Sequence, residues 1–287
     1  MPWKSIIAGV DGSPESAWAA TVAWNIAQAA GAECYLVHAS KQAGDIPIWV
    51  EPIVDVAELE NNLMVETKAR LEEQLTGNIP FESLKHLEVR LGRPKRVLAR
   101  AATERDAALI VLGGKEGPGR MFGSSTAFHV IQSVDVPTLI ALPNKTEPTR
   151  VLAAVDLSHG TAPTVAAGQQ AAEFLGARLK VIHVVEPMPD IPSYTIDLPE
   201  DQNIKRAEEH FERIVRPLIK NEAVETAVVS GPTEKTISRQ AADWGADIVV
   251  VGSHGKGWVE RILLGSTTRR LIREMPASLL VVPVPEP

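Results

Sequence analysis

The residues best suited to chemistry lie near the C-terminal end of the sequence, where a short apolar run ends in a glycine-rich loop. Gly252 and Gly255 belong to that loop, and about a dozen residues later Gly265 precedes Ser266 and Thr267 at the start of a helical pattern. Glycines let the backbone approach a ligand closely, and the free N–H groups at a helix start favour negative charge. The spacing therefore predicts a cradle for an anion such as phosphate.

Two further candidates follow apolar runs earlier in the same half of the chain. Asp156 follows the run at 151–155, and Val184 ends the run at 179–184. Ligands of an open parallel sheet bind beyond the carboxyl ends of its strands, so these residues and Gly252 would converge if their strands are neighbours. A carboxylate can accept hydrogen bonds from ribose, and a strand-end peptide can recognise adenine. Alternatively, Asp156 only caps the next helix and the glycines only form turns, and spacing alone does not separate the two interpretations.

The elements that would hold these residues alternate between apolar runs and helical patterns. In the first half, apolar runs at 5–10, 34–38, 87–91, 108–112 and 137–142 alternate with helical patterns at 14–30, 57–76, 95–105 and 124–133. The runs lack apolar–polar alternation, which indicates strands buried on both faces. Residues 40–56 show no clean periodicity and predict a loop. We therefore predict an α/β fold with a parallel sheet covered by helices on both faces.

The same order of segments occurs twice in the sequence. Residues 151–158 correspond to 6–13, and the later strands correspond in the same order at an offset of about 140–145 residues. Such self-similarity indicates a duplicated domain. The length of 287 residues also predicts two domains, given a prior of roughly 100–200 residues for each. We place them at residues 1–146 and 147–287.

Composition and charge exclude several classes of function. The net charge of −7 provides no basic field for nucleic acid. The single cysteine, Cys34, cannot form an intrachain disulfide, and its apolar surroundings predict a buried thiol. The sequence shows neither a secretory h-region nor an apolar stretch approaching the ~20 residues of a membrane span. We expect a protein of the reducing cytoplasm, with no membrane partner.

The glycine spacing resembles a specific family signature. Gly252, Gly255 and Gly265 are separated by two and nine residues and are followed by a hydroxyl residue, an arrangement similar to the ATP-binding signature of the universal stress protein family. The sequence at 247–257 also resembles the motif most typical of the family. Both halves resemble the family in an Asp after the first strand and a His near the end of the second. The resemblance covers essentially the whole chain, as two consecutive domains.

The resemblance implies two flavodoxin-like domains of the adenine nucleotide alpha hydrolase type, each with strand order 3-2-1-4-5 and nucleotide at the switch point. It implies that Asp156 is the strand-one carboxylate and that the backbone of Val184 contacts adenine. The phosphate and ribose contacts that it implies are Gly252, Ser253, His254, Gly255, Gly265, Ser266 and Thr267. The implied cofactor is ATP, with Mg²⁺ on its phosphates and no metal site made by the protein alone. A homodimer is implied through the C-terminal edge strand, Leu279–Val284.

The first copy departs from this pattern. Gly113 and Gly123 are ten positions apart, against thirteen for the corresponding glycines of the second copy, so the loop is predicted to be three residues shorter. Glu116 places a carboxylate where phosphate charge would lie, and like charges in a secluded site repel. Asp11 and the Gly-Ser-Ser run that starts at Gly123 persist. We predict nucleotide binding in the second copy and weak or no binding in the first.

Structural roles are predicted for two of the histidines. His38 and His183 lie inside apolar runs and are expected to be core histidines with satisfied hydrogen bonds. His254 is a candidate phosphate contact. A metal site that combines it with His159 lacks the paired spacing of known sites.

Three functions remain compatible with the sequence. The preferred one is an ATP-binding stress-response protein whose nucleotide is a regulatory or structural ligand. The others are a nucleotide-independent dimeric interaction protein and a slow ATPase or phosphoryl transferase of the same fold. Since the site offers no evident catalytic base and no nucleophile beyond Ser266 and Thr267, hydrolysis is expected to be far slower than the ~10 per second typical of enzymes.

Overall fold

The computed structural model describes residues 3–40, 56–115, 121–143, 147–187, 200–254 and 264–284. The described residues up to 143 form one compact unit, and those from 147 onward form another. We call them the first and the second unit.

The first unit alternates strands and helices along one parallel sheet. Its elements are β1 (Ser5–Gly9), α1 (Pro14–Ala30), β2 (Glu33–Ser40), α2 (Val56–Leu75), α3 (Phe81–Leu84), β3 (Leu87–Leu91), α4 (Pro94–Glu104), β4 (Ala107–Gly113), α5 (Met121–Ile131) and β5 (Thr138–Ala141). The strands pair in the order β3-β2-β1-β4-β5, all parallel.

The second unit has the same order of strands. Its elements are β6 (Arg150–Val155), α6 (Thr161–Leu175), β7 (Arg178–Val185), α7 (Glu200–Ile214), a 3-10 turn (Arg216–Leu218), β8 (Glu225–Ser230), α8 (Thr233–Trp244), β9 (Ile248–Gly252), α9 (Ser266–Glu274) and β10 (Ser278–Val282). Its parallel strands run β8-β7-β6-β9-β10. The predicted α/β class and the order 3-2-1-4-5 are therefore confirmed.

Burial of aliphatic side chains on the central strands holds each sheet in place. Ile6, Ile7 and Val250 are fully buried, and full burial of one such side chain stabilises the folded state by about 1.5–3 kcal/mol. Cys34 is a buried free thiol, as predicted. Its burial raises the pKa of the thiol to about 12, so the group stays protonated and inert at neutral pH.

The helix boundaries follow local signals. The side chain of Ser13 caps α1 by accepting a hydrogen bond from the N–H of Ser16, Pro14 takes the first helical position, and Gly31 ends the helix at a φ of +65°. Positive φ costs glycine little, whereas a side chain there would be strained. These three residues confirm the helix predicted at 14–30.

Two segments differ from the sequence prediction, and a third lies almost wholly outside the residues that the structure describes. The charged residues at 203–220 form a helical pattern that predicts one helix. The helix ends instead at Ile214 and is followed by a 3-10 turn, because Pro217 cannot donate a backbone hydrogen bond within a helix. The short helix α3 was not expected. The loop predicted at 40–56 falls almost wholly outside the described residues. Within the described ranges, no helix combines the length and the apolar character needed to span a bilayer.

Candidate functional site

A cavity lies at the carboxyl ends of the central strands of the second unit. Strand β6 pairs with β7 on one side and with β9 on the other, so loops leave the sheet in opposite directions beyond this strand. The cavity has a volume of about 490 Å³, within the range of small-molecule sites. Its described lining is Ala154, Val155, Asp156, Gly160, Thr164, His183, Val184, Val185, Glu186, Thr233, Ile237, Val251, Gly252, His254, Gly265, Ser266, Thr267 and Thr268.

Asp156 has a structural oxygen and an unused one. Its Oδ1 accepts hydrogen bonds from the backbone N–H of Ser158 at 3.1 Å and from the Ser158 hydroxyl at 2.7 Å. Its Oδ2 is buried and has no hydrogen-bond partner among the described residues. An unpaired buried acceptor costs about 1–3 kcal/mol, and Asp156 lines the cavity. The carboxylate therefore holds the turn before α6 and offers one acceptor to a bound hydroxyl or cation.

The end of β7 supplies backbone and an apolar wall. Val184 is buried and lines the cavity. The Nδ1 of its neighbour His183 lies 2.8 Å from the carbonyl oxygen of Val155. Because a carbonyl only accepts, this ring nitrogen carries a proton. The prediction that His183 is a satisfied core histidine is confirmed, and His38 makes the same contact with Val10 at 2.7 Å in the first unit.

The loop that leaves β9 is anchored at its start. The N–H of Ser253 donates to the carbonyl oxygen of Val282 at 2.7 Å, and its Oγ accepts from the N–H of Val284 at 3.1 Å. The same Oγ lies 2.9 Å from Nδ1 of His254. Ser253 is thus a buried anchor of the loop, while Gly252 and His254 line the cavity. Gly255 lies outside the described residues.

Helix α9 begins at the cavity with an open N-terminus. Gly265 occupies the N-cap position and no side chain caps the helix. The first N–H groups of a helix have no partner within it, and the dipole there is positive. Ser266 and Thr267 line the cavity. An open helix N-terminus of this kind can bind an anion. Seven of the nine site residues named from the sequence line the cavity, namely Asp156, Val184, Gly252, His254, Gly265, Ser266 and Thr267.

Several lining residues were not predicted from the sequence, among them Gly160, Thr164, Glu186 and Thr233. Gly160 is the N-cap of α6, and Thr164 donates its hydroxyl to the Gly160 carbonyl at 2.7 Å. The Thr233 hydroxyl donates to Glu186 at 2.5 Å beyond β7. Only the equivalence of Gly160 with a first-copy residue could have drawn attention to any of them.

The first unit has a smaller cavity at the same place. Its volume is about 250 Å³, and Asp11, Glu15, His38 and Lys115 are among the residues that line it. Burial raises the pKa of Asp11, but hydrogen bonds from Ser13 and Ser16 outweigh that effect and hold the pKa below its ordinary value. Glu116, whose carboxylate was predicted to repel phosphate, lies outside the described residues. Glu15 is a second glutamate, and it does line this cavity.

The loops that follow β4 and β9 differ in length by less than the glycine spacing predicted. Gly123 is the third residue of α5 and not the N-cap that was expected of the counterpart of Gly265. The buried positions of the two helices match when Ala127 is placed opposite Thr268. From the last residue of the preceding strand to this position is 14 residues in the first unit and 16 in the second. The first loop is therefore two residues shorter, not three.

The described side chains do not form a metal-binding cluster. No group of three or more His, Cys, Asp or Glu residues within the described segments is arranged to hold a metal ion. A divalent cation at this cavity would have to take most of its ligands from a bound molecule.

Comparison with family models decides the classification. The model described as the universal stress protein family matches residues 2–141 and again residues 148–283. The chain belongs to the universal stress protein family. It contains two tandem domains of this family, which confirms the resemblance seen in its motifs.

Known universal stress proteins match one half of the chain or all of it. The "universal stress protein in QAH/OAS sulfhydrylase 3′ region" of Thermus aquaticus is 29% identical over 135 residues, which are 46% of this chain and 96% of that protein. A solved universal stress protein from Archaeoglobus fulgidus has the same fold, with 18% identity, a TM-score of 0.65 and 98% coverage of each chain. A universal stress protein solved in complex with cAMP matches 48% of this chain and is itself covered to 99%, at 20% identity and a TM-score of 0.34. That likeness is too weak to assign a ligand here.

Proposed function

We propose that the second unit binds ATP as a regulatory or structural ligand and that the protein acts in the cytoplasmic stress response. One observation carries the proposal. The uncapped N-terminus of α9 and the unpaired buried Oδ2 of Asp156 belong to the same cavity. A phosphate group fits the first feature and a ribose hydroxyl fits the second, and a nucleotide contains both.

Each lining residue then has a role that its chemistry suits. Asp156 would accept a hydrogen bond from ribose, and the backbone of Val184 would face adenine. The phosphates would lie against Gly252, Ser253, His254, Gly255, Gly265, Ser266 and Thr267. Mg²⁺ on the phosphates would reduce the charge that the site must bind. The family membership supports these roles, since the glycine spacing matches the family's ATP-binding signature.

The polar groups of the cavity favour binding over catalysis, because the unpaired Oδ2 of Asp156 is assigned to ribose and other polar groups are already engaged. Glu186 is engaged by the Thr233 hydroxyl, and one oxygen of Asp156 holds the Ser158 turn. Nδ1 of His183 is engaged by the Val155 carbonyl. A general base needs a group that is free to take a proton from the attacking water. We therefore propose that ATP hydrolysis is slow, with a turnover far below the ~10 per second of typical enzymes.

The first experiment measures nucleotide and its stoichiometry. Purified protein is denatured, the supernatant is analysed for adenine nucleotide, and the nucleotide-free protein is titrated calorimetrically with Mg-ATP. We expect one ATP per chain. Absence of binding would favour the interaction-protein alternative. Release of AMP or a modified nucleotide would favour a transferase.

The Gly265→Asp variant tests the position of the phosphates. A carboxylate at this N-cap would repel phosphate, and we expect at least about a hundredfold weaker ATP binding. Asn221→Asp is the matched control, because it adds the same charge to the same unit at an exposed turn whose hydrogen bond to Ala223 an aspartate can keep. Equal ATP affinity in the two variants would contradict the assignment of α9 to phosphate.

We also propose a homodimer formed through the strand at Leu279–Val284, a role that the resemblance to the family implies for the C-terminal strand. Sedimentation equilibrium over a range of protein concentrations measures the association, and a monomer throughout that range would remove the dimer from the proposal.

A further inference from the structure

The two cavities are built on the same turn, which allows their residues to be matched one by one. Oδ1 of Asp11 accepts from the N–H and hydroxyl of Ser13 at 2.9 and 2.6 Å, and Asp156 does the same with Ser158 at 3.1 and 2.7 Å. Two positions after the serine stands Glu15 in the first unit and Gly160 in the second. The first unit therefore has a carboxylate side chain at a position where the second unit has only the hydrogen atom of a glycine.

The opposite wall of the cavities can be matched in the same way. The N–H of Gly114 donates to Ala141 at 2.9 Å, as the N–H of Ser253 donates to Val282 at 2.7 Å. The residue after each of these donors lines its cavity, and it is Lys115 in the first unit and His254 in the second.

Glu15 and Lys115 contact each other across the first cavity. Nζ of Lys115 lies 3.3 Å from Oε1 of Glu15, whose side chain is 22% exposed, and Oε2 of Glu15 is buried without a hydrogen-bond partner among the described residues. The backbone of Glu15 is also close to β4, because a Cβ added to Gly113 would meet it at 2.5 Å. The carboxylate is consequently held inside the cavity with its cation already engaged.

We propose that Glu15, held by Lys115, is the residue that excludes nucleotide phosphate from the first unit. A bound phosphate would meet a fixed negative charge in a partly buried site, where like charges repel strongly. The positive charge of Lys115, the one lysine of the described lining, would already be paired with Glu15 and would not be available to the phosphate. The inference rests on the proposed ATP function of the second unit, since it explains why only one of two similar cavities takes the ligand.

The test is a substitution that gives the first cavity the residue of the second. Glu15→Gly removes the carboxylate and releases Lys115, and calorimetric titration with Mg-ATP should change from one nucleotide per chain to two. In the Gly265→Asp background, where the second site is disabled, Glu15→Gly should restore one nucleotide per chain. Lys115→Gln in that double variant should weaken the restored site about tenfold, by removal of a charged phosphate contact.

Two further measurements keep the result interpretable. Glu15→Gln keeps the volume and the helix propensity but removes the charge, so it should bind a second ATP more tightly than the wild type does. In Glu15→Gly and in Glu15→Gln, ATP binding by the second unit reports that the protein is folded. Two nucleotides in the wild type, or one in both Glu15 variants, would overturn the inference, whereas no binding in the wild type would overturn the proposed function instead.

Discussion

The two cavities share their frame and differ in what fills them. Each begins with an Asp–x–Ser turn, and each has a histidine whose Nδ1 contacts the carbonyl oxygen of the residue that precedes the Asp. Yet one encloses about 490 Å³ and the other about 250 Å³. The shared contacts hold strand ends and helix starts together, so they are needed whether or not a ligand binds. The presence of the strand-one Asp and the strand-two His therefore does not identify a binding site.

The two cavities differ at a position whose side chain takes no part in the hydrogen bonds of this frame. Gly160 and Glu15 follow equivalent turns, and neither side chain is required for the hydrogen bonds of that turn. A substitution there changes the charge and volume of the cavity while it leaves the sheet intact. After a duplication, one copy can thus lose a ligand without losing its fold.

The largest expected effect comes from transferring the acidic residue to the second unit. Gly160→Glu should weaken ATP binding by about a hundredfold or more, because the carboxylate would lie where phosphate charge is expected. The backbone at Gly160 has φ −73° and ψ −11°, so a glutamate there adopts an ordinary backbone conformation. Calorimetry or equilibrium dialysis with labelled ATP measures the loss.

A neutral variant separates charge from crowding in that experiment. A Cβ at position 160 would lie 2.9 Å from Cγ2 of Val284, so every side chain there is tight. Gly160→Gln shares this crowding and lacks the charge, and it should bind ATP distinctly better than Gly160→Glu. Equal affinities would show that volume alone distinguishes the two cavities.

A smaller effect is expected from the strand-one carboxylate. Asp156→Asn keeps an oxygen for the Ser158 turn but replaces the unpaired acceptor with a donor, and ATP should bind about tenfold more weakly. Asp11→Asn is the matched variant of the first unit and should leave the titration unchanged. A loss of binding in Asp11→Asn would place nucleotide in the first cavity and contradict the comparison.

The smallest expected effect is a pH dependence of stability in the first unit. The folded state lowers the pKa of Asp11, so its contribution to stability is present above the unfolded pKa of about 3.9 and is lost as pH falls through the folded value. Wild type should lose more stability than Asp11→Asn between pH 6 and pH 3 for this reason. Urea unfolding curves of both proteins at several pH values measure the difference. Parallel curves would show that the Ser13 contacts do not favour the charged form.

Much of the fold followed from sequence because its strands are buried on both faces. Runs such as Ile248–Gly252 are apolar without alternation, which indicates a parallel sheet and places Asp156 and Gly252 at the carboxyl ends of its strands. The strand order came from the resemblance to the family and not from this pattern. The four-residue helix α3 escaped prediction because it is too short to show a period. Pro217 marked the end of α7, but the charged helical pattern on either side of it concealed the break.

The site was predicted less completely than the fold. Glu15 follows a proline in the first turn of α1, where an acidic residue stabilises any helix through the dipole, so its sequence context gives no reason to suspect a role in a cavity. Its position became informative only when the two turns were matched and Gly160 appeared opposite it. Lys115 was missed because nothing in the sequence shows that residues one hundred positions apart face the same space.

Two hydrogen bonds close the base of the glycine-rich loop that leaves β9. The N–H of Gly265 donates to Ser253 at 2.9 Å and the Thr268 hydroxyl donates to Gly252 at 2.8 Å, so the two ends of the loop are joined directly. The entropy of closing a chain grows only logarithmically with its length, and two residues more or less change it by about 0.1 kcal/mol. Loop length is therefore almost neutral for folding, so a change in the length of this loop should affect ATP binding more than stability.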